Sequence, residues 1–85
     1  MAPSFAGVWQ LDSQQNALTL YLKAHQSIEV RVDAGTPIYV MCNGLEYRIS
    51  PGSVETCFAE YEQYLSLVLS SKEPTAYSQG VYDMK

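Results

Sequence analysis

The side chains best suited to catalysis or metal binding are few in this chain. It has one histidine, His25, and two cysteines, Cys42 and Cys57, with no CxxC or HxxxH spacing. A nucleophile needs a base within hydrogen-bonding reach, usually a histidine, and a structural zinc ion needs about four Cys or His ligands. The sequence therefore predicts no catalytic residue, no metal site and no cofactor, and we expect His25 to lie in an exposed turn.

Phosphate binding and acid–base chemistry also lack their usual signatures. The five glycines form neither a GxGxxG nor a GxxxxGK arrangement. Glu55 and Glu62 are seven residues apart, which places them on one face of the helix predicted below, but two solvated carboxylates lack the different environments that an acid–base pair needs. We therefore expect a binding protein and not an enzyme.

Composition sets the class of protein. The chain has 85 residues, is 47% hydrophobic and contains seven tyrosines, which is enough for one small folded domain. Its net charge is −4, and its five basic residues are scattered, whereas duplex binding needs a basic cluster.

No apolar stretch approaches the roughly 20 residues that cross a bilayer, and the first residues lack the basic region of a signal peptide. These features predict no membrane partner, no general nucleic-acid affinity and a cytoplasmic location.

Two stretches alternate strictly between apolar and polar residues, which is the period of a strand with one buried face. In residues 27–33 this pattern directs Ile28, Val30 and Val32 to the core. In residues 17–23 three leucines share one side. Both stretches are predicted strands.

The strongest local signal is the dipeptide Asn43-Gly44, which readily takes the positive φ angles of a type I′ hairpin turn. It separates two further predicted strands, residues 38–42 and 45–50, and a weaker strand covers residues 8–12. The connections are too short for parallel crossovers, so we predict a five-stranded antiparallel meander.

After Pro51-Gly52 the apolar spacing changes from two to 3.6, which predicts a helix from about Val54 to Ser71. The predicted fold class is therefore α+β, a five-stranded antiparallel meander sheet with one C-terminal helix packed across one face. Residues 1–73 form this single domain, and residues 74–85 form a C-terminal tail that frays.

The same arrangement predicts that both cysteines are free. Cys42 adjoins the hairpin turn at one end of the sheet, while Cys57 lies in the first turns of a helix that begins at the other end. Their separation would exceed the Cα distance of about 7 Å that a disulfide tolerates. Reduced cysteines are typical of the cytosol.

The sheet face opposite the helix is the predicted partner-binding surface. In a meander, Tyr39 lies between Arg31 and Arg48, with Tyr21 and Met41 beside it. Tyrosine, arginine and methionine are enriched at protein interfaces, and an aromatic between guanidinium groups also stacks on bases. Glutamates in the neighbouring row repel phosphate, so a protein partner is favoured.

A competing site is the acidic back of the helix, formed by Glu55, Glu60 and Glu62, which would attract a basic partner through steering. The resulting hypotheses are three. The chain is a small non-enzymatic protein-binding module, of the kind that phages and mobile elements use to inhibit a host protein machine. Alternatively, it is a structural subunit or homodimer that assembles through sheet edges, or a weak single-stranded nucleic-acid binder through the Tyr39 face.

Overall fold

A computed structural model of the chain describes residues 5–85, which form strands and loops. No residue in this range is helical, so the predicted α+β class with a C-terminal helix is wrong. The first sheet has the strand order β1-β8-β3-β6 and the second has the order β2-β7-β4-β5, all antiparallel. The eight strands are β1 (Phe5–Asp12), β2 (Ala17–Leu22), β3 (Ser27–Gly35), β4 (Ile38–Cys42), β5 (Leu45–Ile49), β6 (Val54–Phe58), β7 (Gln63–Leu69) and β8 (Tyr77–Met84).

Alternating side chains from both sheets form the core. Ile28, Val30 and Val32 of β3 are buried, as the alternation predicted. Trp9 and Leu11 of β1 are buried as well, which confirms the weakest of the five predicted strands. Burying one large apolar side chain contributes about 1.5–3 kcal/mol. The shared apolar layer therefore holds the two sheets face to face.

The β4–β5 hairpin is the best-predicted element. Asn43 and Gly44 have φ angles of 52° and 77°, as a type I′ turn requires. The two-residue loop sets the register, in which Tyr39 pairs with Arg48 and Val40 with Tyr47. The predicted hairpin is confirmed.

The predicted five-stranded meander is wrong outside this hairpin. β2 pairs with β7, and β3 pairs with β6 and β8. With the exception of β4 and β5, strands that are consecutive in sequence lie in different sheets. A short connection such as residues 36–37 serves equally well to turn back within a sheet or to cross to the facing one. Connection length alone therefore does not determine pairing.

The segment predicted as a helix contains β6 and β7. Before it, Ser50-Pro51-Gly52-Ser53 forms a turn in which the Ser53 N–H donates to the Ser50 carbonyl over 3.0 Å, and Gly52 has a φ of 87°. Proline followed by a left-handed glycine is the signature of a type II turn, so this segment is no helix cap. Leu65, Leu67 and Leu69 are buried at alternate positions of β7.

The C-terminal residues contribute a central strand. Residues 77–84 were assigned to the tail, but they form β8 between β1 and β3, so the ordered fold extends beyond residue 73. Opposite a bulge in β3, a Cβ atom on Gly80 would collide with the Arg31 carbonyl and the Trp9 ring. The Trp9 indole N–H donates to the Val81 carbonyl over 3.2 Å. Because Gly80 has no side chain, β8 leaves space for the Trp9 indole at this position.

Cys42 and Cys57 form a disulfide with a Cα–Cα distance of 6.2 Å, so the prediction of two free thiols is wrong. The error follows from the helix, because Cys57 lies on β6 and faces Cys42 across the sandwich. The bridge joins the second sheet to the first. It also removes the free cysteines as an argument for a cytosolic location.

Removing this bridge should destabilise the protein. The bridged cysteines are 15 residues apart in sequence, and closing a loop of this length in the unfolded chain is worth about 3 kcal/mol. We expect the Cys42→Ala/Cys57→Ala variant to lose about that much free energy of unfolding in urea denaturation. Reductant should destabilise the wild-type protein similarly and leave the double variant unchanged. A wild-type curve that does not respond to reductant would contradict the bridge.

Substitution at Gly80 tests the packing of β8. Gly80→Ala forces a methyl group against backbone and indole atoms that have little freedom to move, and such overpacking typically costs about 1–3 kcal/mol. Thermal denaturation should show this loss. Gln79→Ala, on the exposed neighbouring position of the same strand, is the matched control and should have a much smaller effect. Equal stability of the two variants would show that β8 does not pack as described.

Candidate partner-binding face

The outward positions of the second sheet bring three tyrosines onto one surface. Tyr21 on β2 opposes Tyr64 on β7, with ring centroids 5.4 Å apart. Val68 on β7 opposes Tyr39 on β4, and Met41 lies two positions further along β4 on the same side. We call these five residues the tyrosine face.

The tyrosine face contributes little to the core. Tyr64 is 67% exposed, Met41 42%, Tyr21 41% and Val68 38%, whereas Tyr39 is half-buried. The leucines that alternate with them on β7 are buried between the sheets. Exposed aromatic and apolar side chains grouped on one sheet face in this way are typical of interaction sites on soluble proteins.

Polar and charged residues border the face. Arg48 on β5 pairs with Tyr39, and Glu46 pairs with Met41. Ser66 on β7 also pairs with Met41 but lies within the face, between Tyr64 and Val68. An aromatic and apolar centre with a polar rim of both charges is the common anatomy of a protein interface.

Glu62 is the main cause of the raised pKa of Tyr21, at one end of the face. A hydrogen bond to the Glu62 carboxylate raises the pKa of Tyr21 from its ordinary value of 10.0, and desolvation and the nearby negative charge of Glu62 add to the effect. Glu62 lies in the loop between β6 and β7, so this loop adjoins the Tyr21 end of the face.

A side-chain network centred on Asn43 holds that loop. The Asn43 amide donates to the Phe58 carbonyl over 2.8 Å and accepts from the Glu60 backbone N–H over 2.9 Å. The backbone N–H of Asn43 donates to Gln63 Oε1 over 2.8 Å. One residue of the hairpin turn thus anchors the segment that carries Glu62.

The structure brings together four of the five residues predicted for the sheet face. Tyr21, Tyr39, Met41 and Arg48 lie on the second sheet. Arg31 lies on β3 of the first sheet, where its guanidinium forms an ion pair with Asp33 over 2.7 Å. The predicted placement of Tyr39 between two arginines fails because β3 and β4 belong to different sheets.

Sequence reasoning missed Tyr64 and Val68, because both fell in the predicted helix. The signal was present, since residues 64–69 read Tyr-Leu-Ser-Leu-Val-Leu and carry leucine at every second position, as residues 17–23 do. The 3.6-residue spacing arose only because apolar residues of β6 and β7 were counted together, across the loop that separates the two strands.

The predicted acidic helix face does not exist. Glu55 lies on β6 opposite Val30 and lines a small cavity between the sheets beside the disulfide. Glu60 and Glu62 lie in the loop between β6 and β7. The three carboxylates therefore do not share the single solvated face that was proposed for a basic partner.

Other features of the described residues give weaker evidence of a functional site. His25 is exposed with a φ of 68°, and its ring centroid lies 6.0 Å from that of Phe58. Across residues 5–85, no group of three His, Cys, Asp or Glu residues is placed to hold a metal ion. The first sheet carries an open pocket of about 600 Å³ whose lining includes Val8, Val81, Glu29 and Arg31. In the same range no helix has the length and apolar character to cross a membrane.

The connectivity defines the class of fold. Two antiparallel four-stranded sheets, in the orders β1-β8-β3-β6 and β2-β7-β4-β5, face each other, and the chain passes between them at most of its turns. This is the eight-stranded arrangement of two Greek keys known as the jelly roll, or double-stranded β-helix.

Several solved structures share this fold at low sequence identity. A de novo designed double-stranded β-helix aligns with a TM-score of 0.70 and 9% identity over 99% of this chain and all of that one. A pilus protein of Bacillus endospore appendages, described as disulfide-linked pili, aligns with a TM-score of 0.64 and 14% identity over 96% of this chain and 80% of that one. The EutQ protein of Clostridium difficile aligns with a TM-score of 0.58 and 11% identity, and this chain spans 50% of its length. These likenesses show the fold alone, and no protein-family model or curated protein matches the chain.

The Tyr21–Glu62 contact predicts a pH effect. Because the folded-state pKa of Tyr21 is raised, this contact contributes stability below the unfolded pKa near 10, and the contribution is lost as pH rises through the folded pKa. Ultraviolet titration, with Tyr21→Phe to identify the residue by difference, should place its midpoint above 10. Glu62→Ala should lower that midpoint. An unchanged midpoint in Glu62→Ala would show that Glu62 is not the cause.

Proposed function

We propose that this chain is a non-enzymatic binding module that docks a protein partner on the tyrosine face. The observation that carries the proposal is the set of exposed aromatic and apolar side chains on adjacent strands of one sheet, among them Tyr64 at 67% exposure. The core does not need these side chains, since the inward positions of the same strands form it. A partner that covers them would gain their burial.

The chemistry of the face favours a protein over nucleic acid. Tyrosine provides a large contact area at a small cost in rotamer entropy, and methionine adapts to irregular surfaces. Glu46 and Glu62 lie at the rim, where they would repel a phosphate backbone, and the chain carries a net charge of −4.

A second candidate function is that of an assembly subunit, the alternative that the sequence also indicated. The observation that favours it is the edge strand β5, where Leu45 and Tyr47 are exposed even though the register directs them to the core side. A protein of disulfide-linked pili with the same fold supports this candidate.

Substitution on the tyrosine face tests the first proposal. The immobilised wild-type chain is used to capture the partner from a lysate of the source organism. The partner is then purified, and its affinity for the wild type and for each variant is measured by calorimetry. We expect Tyr39→Ala and Tyr64→Ala each to cost about 2 kcal/mol of binding free energy, or roughly thirtyfold in Kd, if they act as hot spots. Neither change should cost comparable stability, because Tyr64 is exposed and Tyr39 only half-buried.

Val8→Ala is the matched control, since Val8 is 82% exposed on the outer side of the first sheet. It should bind as the wild type does. Affinity should depend weakly on salt if burial on the face dominates, and strongly if Glu60 and Glu62 act by steering. Unchanged affinity in both tyrosine variants would exclude the face as the binding site.

A further inference from the structure

The free edge of β5 has unused backbone hydrogen-bonding groups. In a hairpin with a two-residue turn the closing residues, here Cys42 and Leu45, form a hydrogen-bonded pair, and such pairs alternate along the ladder. Tyr47 therefore directs its N–H and C=O to β4. Glu46 and Arg48 direct theirs away from β4, and β5 is the last strand of the sheet.

The inward side of the same strand is uncovered. Leu45 and Tyr47 pair with the buried residues Cys42 and Val40 and face the same side, yet they are 59% and 41% exposed. The sandwich thus ends at β5 with apolar side chains that lack a neighbouring strand. Such an edge is a template for strand addition.

The facing edge of the first sheet differs. On β6, Glu55 pairs with the buried Val30 and lines the small cavity between the sheets, so an exposed charged residue occupies an inward register position of this edge. A charged side chain directed inward on an edge strand is a common protection against pairing. Of these two neighbouring edges, β5 is the one suited to add a strand.

We propose that β5 pairs antiparallel with β5 of a second copy of this chain, about a two-fold axis at Tyr47. In this register Glu46 lies opposite Arg48 of the second copy, and Arg48 opposite its Glu46. Both residues present their free backbone groups to the edge, so each of the two pairs exchanges two hydrogen bonds. The pairing also makes two cross-strand Glu–Arg contacts and brings the two Tyr47 side chains together.

Charge complementarity selects this register. A two-fold axis at Glu46 would oppose two glutamates, and an axis at Arg48 would oppose two arginines, which destabilises cross-strand pairs. Only the axis at Tyr47 combines four backbone hydrogen bonds with two pairs of opposite charge. The second copy is therefore complementary to the edge in both hydrogen bonding and charge, as an isologous interface requires.

Charge reversal tests the register with the purified chain alone, so its outcome does not depend on the partner of the tyrosine face. Analytical ultracentrifugation of the wild type should show a concentration-dependent species of twice the 9.5 kDa chain mass. Glu46→Arg or Arg48→Glu places like charges opposite each other twice per dimer, and each should weaken dimerisation by about tenfold or more. The double variant Glu46→Arg/Arg48→Glu should restore it.

Hydrogen exchange supplies a second measurement that does not alter the sequence. The Glu46 and Arg48 amides should gain protection as protein concentration rises, while the Tyr47 amide, which bonds to β4, should be protected throughout. A wild-type chain that stays monomeric at high micromolar concentration would overturn the proposal. A dimer that forms equally well in both single variants, or whose Glu46 and Arg48 amides exchange freely, would also overturn it.

Discussion

The packing of two four-stranded sheets over one apolar layer is the constraint on which the rest of this structure depends. In a chain of 85 residues the inward positions of both sheets are needed for that layer, from Trp9 and Leu11 in β1 to Leu65 and Leu67 in β7. Because side chains alternate along a strand, every second residue then faces outward and does not contribute to the core. The tyrosine face consists of such residues, so its composition is not determined by the core.

The disulfide compensates for the weakest part of this arrangement. Between the edge strands β5 and β6 the sandwich is open, and the inward positions there include the charged Glu55 and the exposed Leu45. The apolar core is therefore less complete at this edge of the sandwich. A covalent link between Cys42 and Cys57 holds the two sheets together at the same place.

Local sequence patterns identified β1 to β5, but they missed β6, β7 and β8 and most of the strand pairing. Alternation identified β2 and β3, and Asn43-Gly44 identified β4 and β5, the one pair of described strands that is adjacent both in sequence and in space. The helix prediction failed because two short strands and a loop together mimicked a 3.6-residue period, while Pro51-Gly52 belonged to a type II turn. Pairings such as β3 with β8 join residues about 50 positions apart, so local pattern does not encode them. For the same reason Arg31 was assigned to a face that it does not share, and Tyr64 was missed.

The order of strands in the first sheet has a consequence for biosynthesis. Of the eight strands β8 is synthesised last, yet it lies between β1 and β3, and β1 joins the sheet by pairing with β8. The nascent chain therefore carries β1 without this partner until residues 77–84 have emerged. The native pairing of β1 cannot form before then, so β1 is an unpaired apolar strand through most of the synthesis of this domain.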